Sequence, residues 1–209
     1  MKITLSGIGK KFNNREWVIK NLDYSFEGSR AYAITGSNGS GKSTLTRIIS
    51  GIMPQTKGII TYTKDNKILD PDDFYKELTY SAPYLDLIEE FTLIELLNFH
   101  FKFKSPITGM NVTKLIDLMY LTQSKNKKIG NFSSGMKQRL KLGLAMFSQA
   151  SVTILDEPTS NMDENGCTWY SEQIENVLGT RIIIIASNHS NEYKFAGELI
   201  DLNTLSNNY

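Results

Sequence analysis

Residues 36–44 constrain this chain more than any other stretch. They read Gly-Ser-Asn-Gly-Ser-Gly-Lys-Ser-Thr and match the phosphate-binding pattern G-x-x-x-x-G-K-[ST] at every defined position. Residues 30–35 before them are short and mostly apolar, which predicts a buried strand, and residues 44–49 after them predict the opening of a helix. Strand, glycine loop and helix are the local context that the pattern requires.

The residue types of this loop predict how it binds a ligand. Glycine can take positive φ, so the backbone can bring consecutive N–H groups close to an anion. The Lys42 ammonium can reach the outer phosphates, and the Ser43 hydroxyl is placed to ligate Mg²⁺. We therefore predict a triphosphate nucleotide as the ligand. The loop residues predicted to bind it are Gly36, Ser37, Asn38, Gly39, Ser40, Gly41, Lys42, Ser43 and Thr44.

Length, charge and cysteine content exclude several classes of protein. The 209 residues, 40% hydrophobic and 22% charged, suit one large domain, or a core with a subdomain, that buries a packed interior. A net charge of +1 argues against nucleic acid as the main partner. Cys167 is the single cysteine, which excludes an internal disulfide and indicates a reducing compartment. No stretch approaches the roughly 18 apolar residues of a membrane span, so we expect a cytoplasmic protein unless a partner holds it at a membrane.

A second chemical signal follows the apolar residues 151–155, where the chain continues with Asp156 and Glu157. Ligands in open α/β sheets bind at the carboxyl ends of the strands, so we expect both acids to face the crevice of the phosphate loop. Asp156 is predicted to bind Mg²⁺, and Glu157 to orient or deprotonate the attacking water. The alternative is an ordinary solvated turn.

A third signal is the stretch 132–139, which reads Phe-Ser-Ser-Gly-Met-Lys-Gln-Arg before a predicted amphipathic helix over 137–147. A serine hydroxyl and a glycine N–H at the start of a helix can form a second anion site, here at Ser133, Ser134 and Gly135. The same residues also suit a plain helix cap. They resemble the signature of the ATP-binding cassette (ABC) ATPases, usually Leu-Ser-Gly-Gly-Gln, with Phe132, Ser134 and Met136 as departures.

The resemblance to ABC ATPases extends over most of the chain. Residues 159–163, Thr-Ser-Asn-Met-Asp, resemble the D-loop of that family. Residues 181–186 predict a strand covered on both faces, and the following His189 stands where the family has its switch histidine near the γ-phosphate. The resemblance also implies an aromatic residue that stacks on adenine, which we assign to Phe12, with Trp17 as the alternative; either could instead be a core aromatic.

One departure from the family concerns a loop glutamine that in ABC ATPases touches Mg²⁺ or the attacking water. No glutamine lies between Gln55 and Gln123, and the corresponding position falls on Pro83 or Tyr84. A backbone carbonyl or a water could substitute for it, and Tyr84 could simply pack.

The resemblance implies an α/β fold: a P-loop NTPase (RecA-like) core with an N-terminal antiparallel β subdomain and an inserted α-helical subdomain at approximately 84–148. Residues 1–209 are then one ABC-type nucleotide-binding domain that hydrolyses ATP with Mg²⁺. Lys42, Glu157 and His189 are the implied catalytic residues, and Ser43 and Asp156 the metal ligands.

The resemblance also implies partners. Each ATP would lie between the phosphate loop of one subunit and the signature of another in a head-to-tail dimer, formed with a second copy or a related subunit. A separate transmembrane permease would hold the protein on the inner face of the cell membrane. Two alternatives stay open: a non-transport ABC ATPase that acts on ribosomes or DNA, and a degenerate cassette that binds ATP as a regulatory module.

Overall fold

The computed structural model describes residues 1–12 and 16–206, which form two sheets and the helices that cover them. The strands are β1 Lys2–Lys11, β2 Trp17–Glu27, β3 Ala31–Thr35, β4 Lys57–Lys64, β5 Lys67–Ile68, β6 Leu78–Ser81, β7 Val152–Asp156, β8 Ile182–Ala186 and β9 Glu198–Asp201. The α-helices are α1 Lys42–Ile49, α2 Leu93–His100, α3 Val112–Leu118, α4 Ser134–Phe147, α5 Glu164–Glu175, α6 Ser190–Tyr193 and α7 Leu202–Ser206. Among these residues, every helix is too short or too polar to cross a lipid bilayer.

The N-terminal sheet is antiparallel, with the order β2-β1-β4-β5. Alternation in β1 directs Ile3 and Leu5 into the core while Lys2 stays exposed. Asp65 and Asn66 join β4 to β5 with φ of 50° and 62°, the left-handed backbone that two-residue hairpins favour. The sequence of residues 3–26 predicts strands broken by a polar turn, and the strands β1 and β2 are present there. The polar turn predicted at Asn13-Asn14-Arg15 lies outside the described residues.

The second sheet is parallel throughout and has the order β6-β7-β8-β3-β9. Its strand β8 is completely buried, and successive side chains enter different cores. Ile183 and Ile185 pack with α2, α3 and α4, whereas Ile182 and Ile184 pack with α1 and the antiparallel sheet. Both faces of β8 are covered, as its run of β-branched residues predicts.

The parallel arrangement places three chemically important segments at one edge. Ile34 pairs with Ala186, and Ala186 pairs with Asp156, so β3, β7 and β8 end side by side. The phosphate loop follows β3, Asp156 ends β7 with Glu157 directly after it, and the segment with His189 follows β8. The crevice at this edge is where an open α/β sheet binds its ligand.

The chain between β6 and β7 is mainly helical. Thr92 caps α2 and forms a capping box with Glu95, whose carboxylate accepts from the Thr92 N–H at 2.8 Å. Helix α4 begins at Ser134, three residues before the predicted start, because the Ser133 hydroxyl accepts from the Met136 N–H at 3.2 Å and caps it.

Two parts of the chain differ from the sequence-based expectation. The sequence predicts an irregular segment from Phe74 to about Gly109, with helical spacing of apolar residues over 93–99. The structure has α2 at that position and adds β6, an edge strand of four residues that pairs with β7 from Leu78 to Ser81. The C-terminal stretch, for which no motif is predicted, adds the edge strand β9 and the helix α7. Both strands are too short to show an alternating pattern, and their conformation depends on pairing with the sheet.

We expect the free energy of unfolding to fall between pH 7 and pH 5 because of His100. This side chain is partly buried at the end of α2, with Nε2 2.8 Å from Ser148 Oγ. Burial and the charge of Lys104 lower the pKa of His100 below its usual 6.5. Between the lowered pKa of the folded state and the usual pKa of 6.5, the unfolded chain binds a proton at this histidine and the folded chain does not. The free energy of unfolding therefore falls as the pH drops through this range.

Urea unfolding at pH 7.5 and pH 5.5 measures this effect. His100→Gln should reduce the difference between the two midpoints, because it removes the group whose folded-state pKa is lowered. An unchanged difference in His100→Gln would show that other groups cause the pH dependence.

Candidate nucleotide site

The phosphate loop lies between β3 and α1, and its three glycines all have positive φ, so none of them can be replaced without backbone strain. Gly36 and Gly41 have φ of 140° and 100°. A Cβ on Gly36 would lie 2.6 Å from Ser40 Oγ, and one on Gly41 would lie 2.9 Å from Val18 Cγ1. The loop therefore needs glycine both for its backbone conformation and for its close packing.

Lys42 is the first residue of α1 and folds over the loop. Its ammonium donates to the carbonyl oxygens of Gly36 at 2.8 Å and Ser37 at 3.1 Å. Burial lowers the pKa of Lys42, while the nearby carboxylates of Glu157 and Asp156 oppose this shift. A buried ammonium at the mouth of a glycine loop is a strong point of attachment for phosphate oxygens.

Asp156 lies directly beside the loop, at the end of β7. Its side chain is buried, and Ser43 Oγ donates to Oδ1 at 3.1 Å. Burial raises the pKa of Asp156, and the neighbouring Glu157 adds to this, whereas hydrogen bonds from Ser43 and Tyr84 lower it. The structure thus brings the two predicted metal ligands into contact.

Glu157 follows with a strained backbone. Its φ is 45°, in the left-handed region, and its N–H donates to the carbonyl oxygen of Ala186 at 2.9 Å. The side chain is exposed and lines two adjoining cavities, one with the phosphate loop and one with His189. Left-handed non-glycine residues cluster at functional sites, where surrounding structure holds them.

The cavity over the phosphate loop has a volume of about 350 Å³ and includes Phe12, Lys42 and Ser43 in its lining. The Phe12 ring is 48% exposed. Trp17, the alternative, does not line this cavity. Its ring packs so closely on Gly9 that a Cβ there would lie 2.8 Å from Trp17 Cζ3. The position of Phe12 is the one that suits a base stacked above the loop.

His189 lies at the other side of Glu157. It precedes α6, and its N–H donates to Ser187 Oγ at 2.8 Å. Its side chain lines a cavity of about 470 Å³ together with Asn38 and Glu157. A hydrogen bond from Asn188 to Asn38 joins the segment after β8 to the phosphate loop.

The predicted second anion site is open to solvent but separate from the first. Ser133 and Ser134 are exposed at the start of α4, and with Gly135 they line a cavity of about 390 Å³ that also contains Asn161 and Asp163. None of the residues that line this cavity lines the cavity over the phosphate loop. Within one chain, therefore, the signature residues and Lys42 face different cavities.

Two contacts of the site are not predicted by any motif. Asn203 in α7 accepts at Oδ1 from Ser37 Oγ at 3.0 Å and from the Ser37 N–H at 3.3 Å, which anchors the phosphate loop to the C-terminal helix. Tyr84, one of the two residues to which the missing glutamine is assigned, places its phenol oxygen 3.2 Å from Asp156 Oδ2. The absent glutamine is the one sequence signal that points to Tyr84, and no signal points to Asn203.

Comparisons with known proteins show which family the chain is similar to. A family model described as ABC transporter matches residues 19–160. The uncharacterized ABC transporter ATP-binding protein YybJ of Bacillus subtilis is 32% identical over 84% of this chain and 80% of its own length. The nisin transport ATP-binding protein NisT of Lactococcus lactis is 34% identical over 72% of this chain, which corresponds to 27% of NisT.

A solved structure shows the same architecture. A dimeric ATP-binding cassette in a post-hydrolysis state, bound to ADP and Pi, matches with a TM-score of 0.81 at 20% identity, over 95% of this chain and 93% of that chain. This likeness confirms the predicted fold class, a P-loop NTPase core with an antiparallel β region and an inserted helical region. Because the family model spans more than half of the residues, the chain belongs to the ABC transporter family and is one of its ATPase subunits.

Proposed function

We propose that the chain hydrolyses ATP at a site shared by two subunits that associate head to tail. The observation that carries this proposal is the separation of two open anion sites within one chain. Lys42, Ser43 and Asp156 surround one, and Ser133 and Gly135 surround the other. A second copy, or a related subunit, can close the first site with its own serine-capped helix.

The comparisons support this arrangement. The matching solved structure is a dimer with ADP and Pi bound. The exposure of Ser133 and Ser134 leaves the start of α4 accessible to another subunit. The dipole of α4 places positive potential at that end, which favours the phosphates of a nucleotide bound to the opposite chain.

Mg²⁺ fits the residues beside the phosphate loop. Ser43 Oγ and Asp156 Oδ1 are two oxygen atoms 3.1 Å apart that can ligate a metal. Oxygen is the ligand atom that Mg²⁺ prefers. Among the described residues no group of three or more His, Cys, Asp or Glu could hold a metal, so the remaining ligands would come from phosphate and water. When bound, Mg²⁺ would neutralise the charge that develops on the phosphate oxygens.

Four side chains and the loop backbone then have separate roles in ATP binding and hydrolysis. Lys42 donates to the outer phosphates, and the loop N–H groups hold them in place. Glu157 accepts the proton of the attacking water, or orients that water, from its position between the two cavities. His189 steadies the γ-phosphate, and Phe12 stacks on the adenine.

We further propose that residues 1–209 act as a single nucleotide-binding domain, with the helical subdomain at approximately 84–148, and that a separate membrane permease is its partner. Exposed aromatic side chains support an interface on this region. Phe99 and Phe103 are 40% and 74% exposed, and their ring centroids lie 5.2 Å apart. Contiguous exposed apolar surface of this kind marks sites of protein contact. Such a partner would place the protein on the inner face of the cell membrane.

Size-exclusion chromatography of Glu157→Gln with ATP tests the shared site. We expect a shift from monomer to dimer that requires ATP, because the variant retains the phosphate-binding groups but hydrolyses slowly. The matched control is Glu157→Gln with Gly135→Asp, in which a carboxylate faces the phosphates of the opposite subunit and should prevent the shift. A monomer at saturating ATP would contradict the proposal.

A further inference from the structure

Tyr84 lies in the segment that links β6 to α2, and its side chain reaches back to the nucleotide site. The phenol oxygen lies 3.2 Å from Asp156 Oδ2. An ionised carboxylate only accepts hydrogen bonds, so the phenol donates this one. The contact joins residues that are 72 positions apart in the sequence.

Asp156 is held at both of its oxygens. Ser43 donates to Oδ1 at 3.1 Å, and Tyr84 and Thr46 approach Oδ2 at 3.2 and 3.4 Å. Asp156 is 1% exposed as a residue, so these donors replace the hydrogen bonds that water would otherwise supply to its carboxylate. If the Tyr84 hydroxyl were removed, Oδ2 would keep one side-chain hydrogen bond from residues 1–12 and 16–206, the 3.4 Å contact from Thr46.

The phenol is itself fixed by its neighbours. The guanidinium of Arg47 lies over the ring, with Cζ 3.8 Å from the ring centroid. The Tyr80 hydroxyl is hydrogen-bonded to the phenol oxygen, and it also lies 3.1 Å from Thr46 Oγ1. A side chain that is packed and hydrogen-bonded in this way can orient the group to which it donates.

The backbone that carries Tyr84 is fixed as well. Lys141 of α4 donates to the carbonyl oxygens of Ala82 at 3.1 Å and Pro83 at 2.9 Å. These are the two residues immediately before Tyr84. The anchor therefore sets where the aromatic ring enters the site.

We infer that Tyr84 is a positioning residue for Asp156. Its hydroxyl fixes the carboxylate so that Oδ1 faces Ser43 and the pair is ready to bind a divalent cation. The inference rests on the proposed function, in which Ser43 and Asp156 hold Mg²⁺. Hydrogen bonds to metal-binding groups typically change metal affinity or activity by about 10–100-fold.

Tyr84→Phe tests the inference because it removes the hydroxyl and keeps the ring against Arg47. ADP binding is measured by calorimetry on the full chain at increasing Mg²⁺ concentration. Mg²⁺ should increase the ADP affinity of both proteins. The Mg²⁺ concentration at which half of that increase is reached should be about 10-fold higher in Tyr84→Phe than in the wild type. ADP affinity in EDTA should equal that of the wild type, since the phosphate loop is untouched.

Tyr75→Phe is the matched control, because Tyr75 is 64% exposed and lies outside the site. If Tyr84→Phe and Tyr75→Phe both show the wild-type Mg²⁺ dependence, the inference is wrong and the proposed cation site stands. If instead the wild type shows no Mg²⁺ dependence, or Ser43→Ala keeps it, the proposed cation site is wrong and the inference falls with it. Thermal unfolding of each variant shows whether it is folded.

Discussion

Glu157→Gln is expected to lower ATP turnover by roughly 10²–10⁴-fold, the usual contribution of a positioned general base. Glutamine has nearly the same shape as glutamate, so the left-handed backbone and its hydrogen bond to Ala186 can persist. The amide cannot accept a proton from water at neutral pH. ATP binding should be retained, because Lys42, Ser43 and Asp156 are unchanged. Steady-state phosphate release and equilibrium ATP binding measure the two effects separately.

Glu164→Gln is the control for this variant. Glu164 is an exposed acid in the first turn of α5, and its replacement removes the same charge without touching the two cavities that Glu157 lines. Turnover of Glu164→Gln should match the wild type. A Glu157→Gln protein with wild-type turnover would remove Glu157 from the mechanism and leave the water to another group.

The parts of the site that the sequence predicts are those with a local signal. Three features have such a signal: the phosphate loop, the acids at the end of β7 and the serine cap of α4. Each is formed by residues that are adjacent in the sequence, so their spacing alone predicts how they are arranged. The covered strand β8 is predicted for a similar reason, because a run of β-branched residues leaves few other arrangements. These local signals also fix the edge of the sheet at which the site lies.

The contacts that the sequence does not predict join distant residues. Asn203 is 166 positions from Ser37, and Tyr84 is 72 positions from Asp156. A single asparagine or tyrosine carries no spacing pattern that names its partner, so the folded arrangement of β9, α7 and the segment after β6 is needed to reveal each contact. The edge strand β6 is similar, since its four residues become a strand by pairing with β7.

Mixing two inactive variants is expected to restore activity if the site is shared between subunits. Lys42→Ala removes the ammonium of the phosphate loop, and Gly135→Asp adds a repelling carboxylate at the signature. In a head-to-tail dimer of one variant, both sites contain the defect. A mixed dimer has one site with both defects and one with neither, because each site combines the phosphate loop of one chain with the signature of the other.

Random pairing in an equal mixture makes half of the dimers mixed, so we expect about one quarter of the wild-type ATPase activity. A site contained within one chain would give no recovery, since every chain then carries a defect in its own site. Gly135→Asn serves as the neutral control for Gly135→Asp. At Gly135 an added Cβ would lie 3.5 Å from Asn161 O, an ordinary contact and the one within 4 Å in the part of the chain that the structure describes, so both variants should fold and differ mainly in charge. Activity that stays at background in the mixture, when mixed dimers are shown to form, would contradict the shared site.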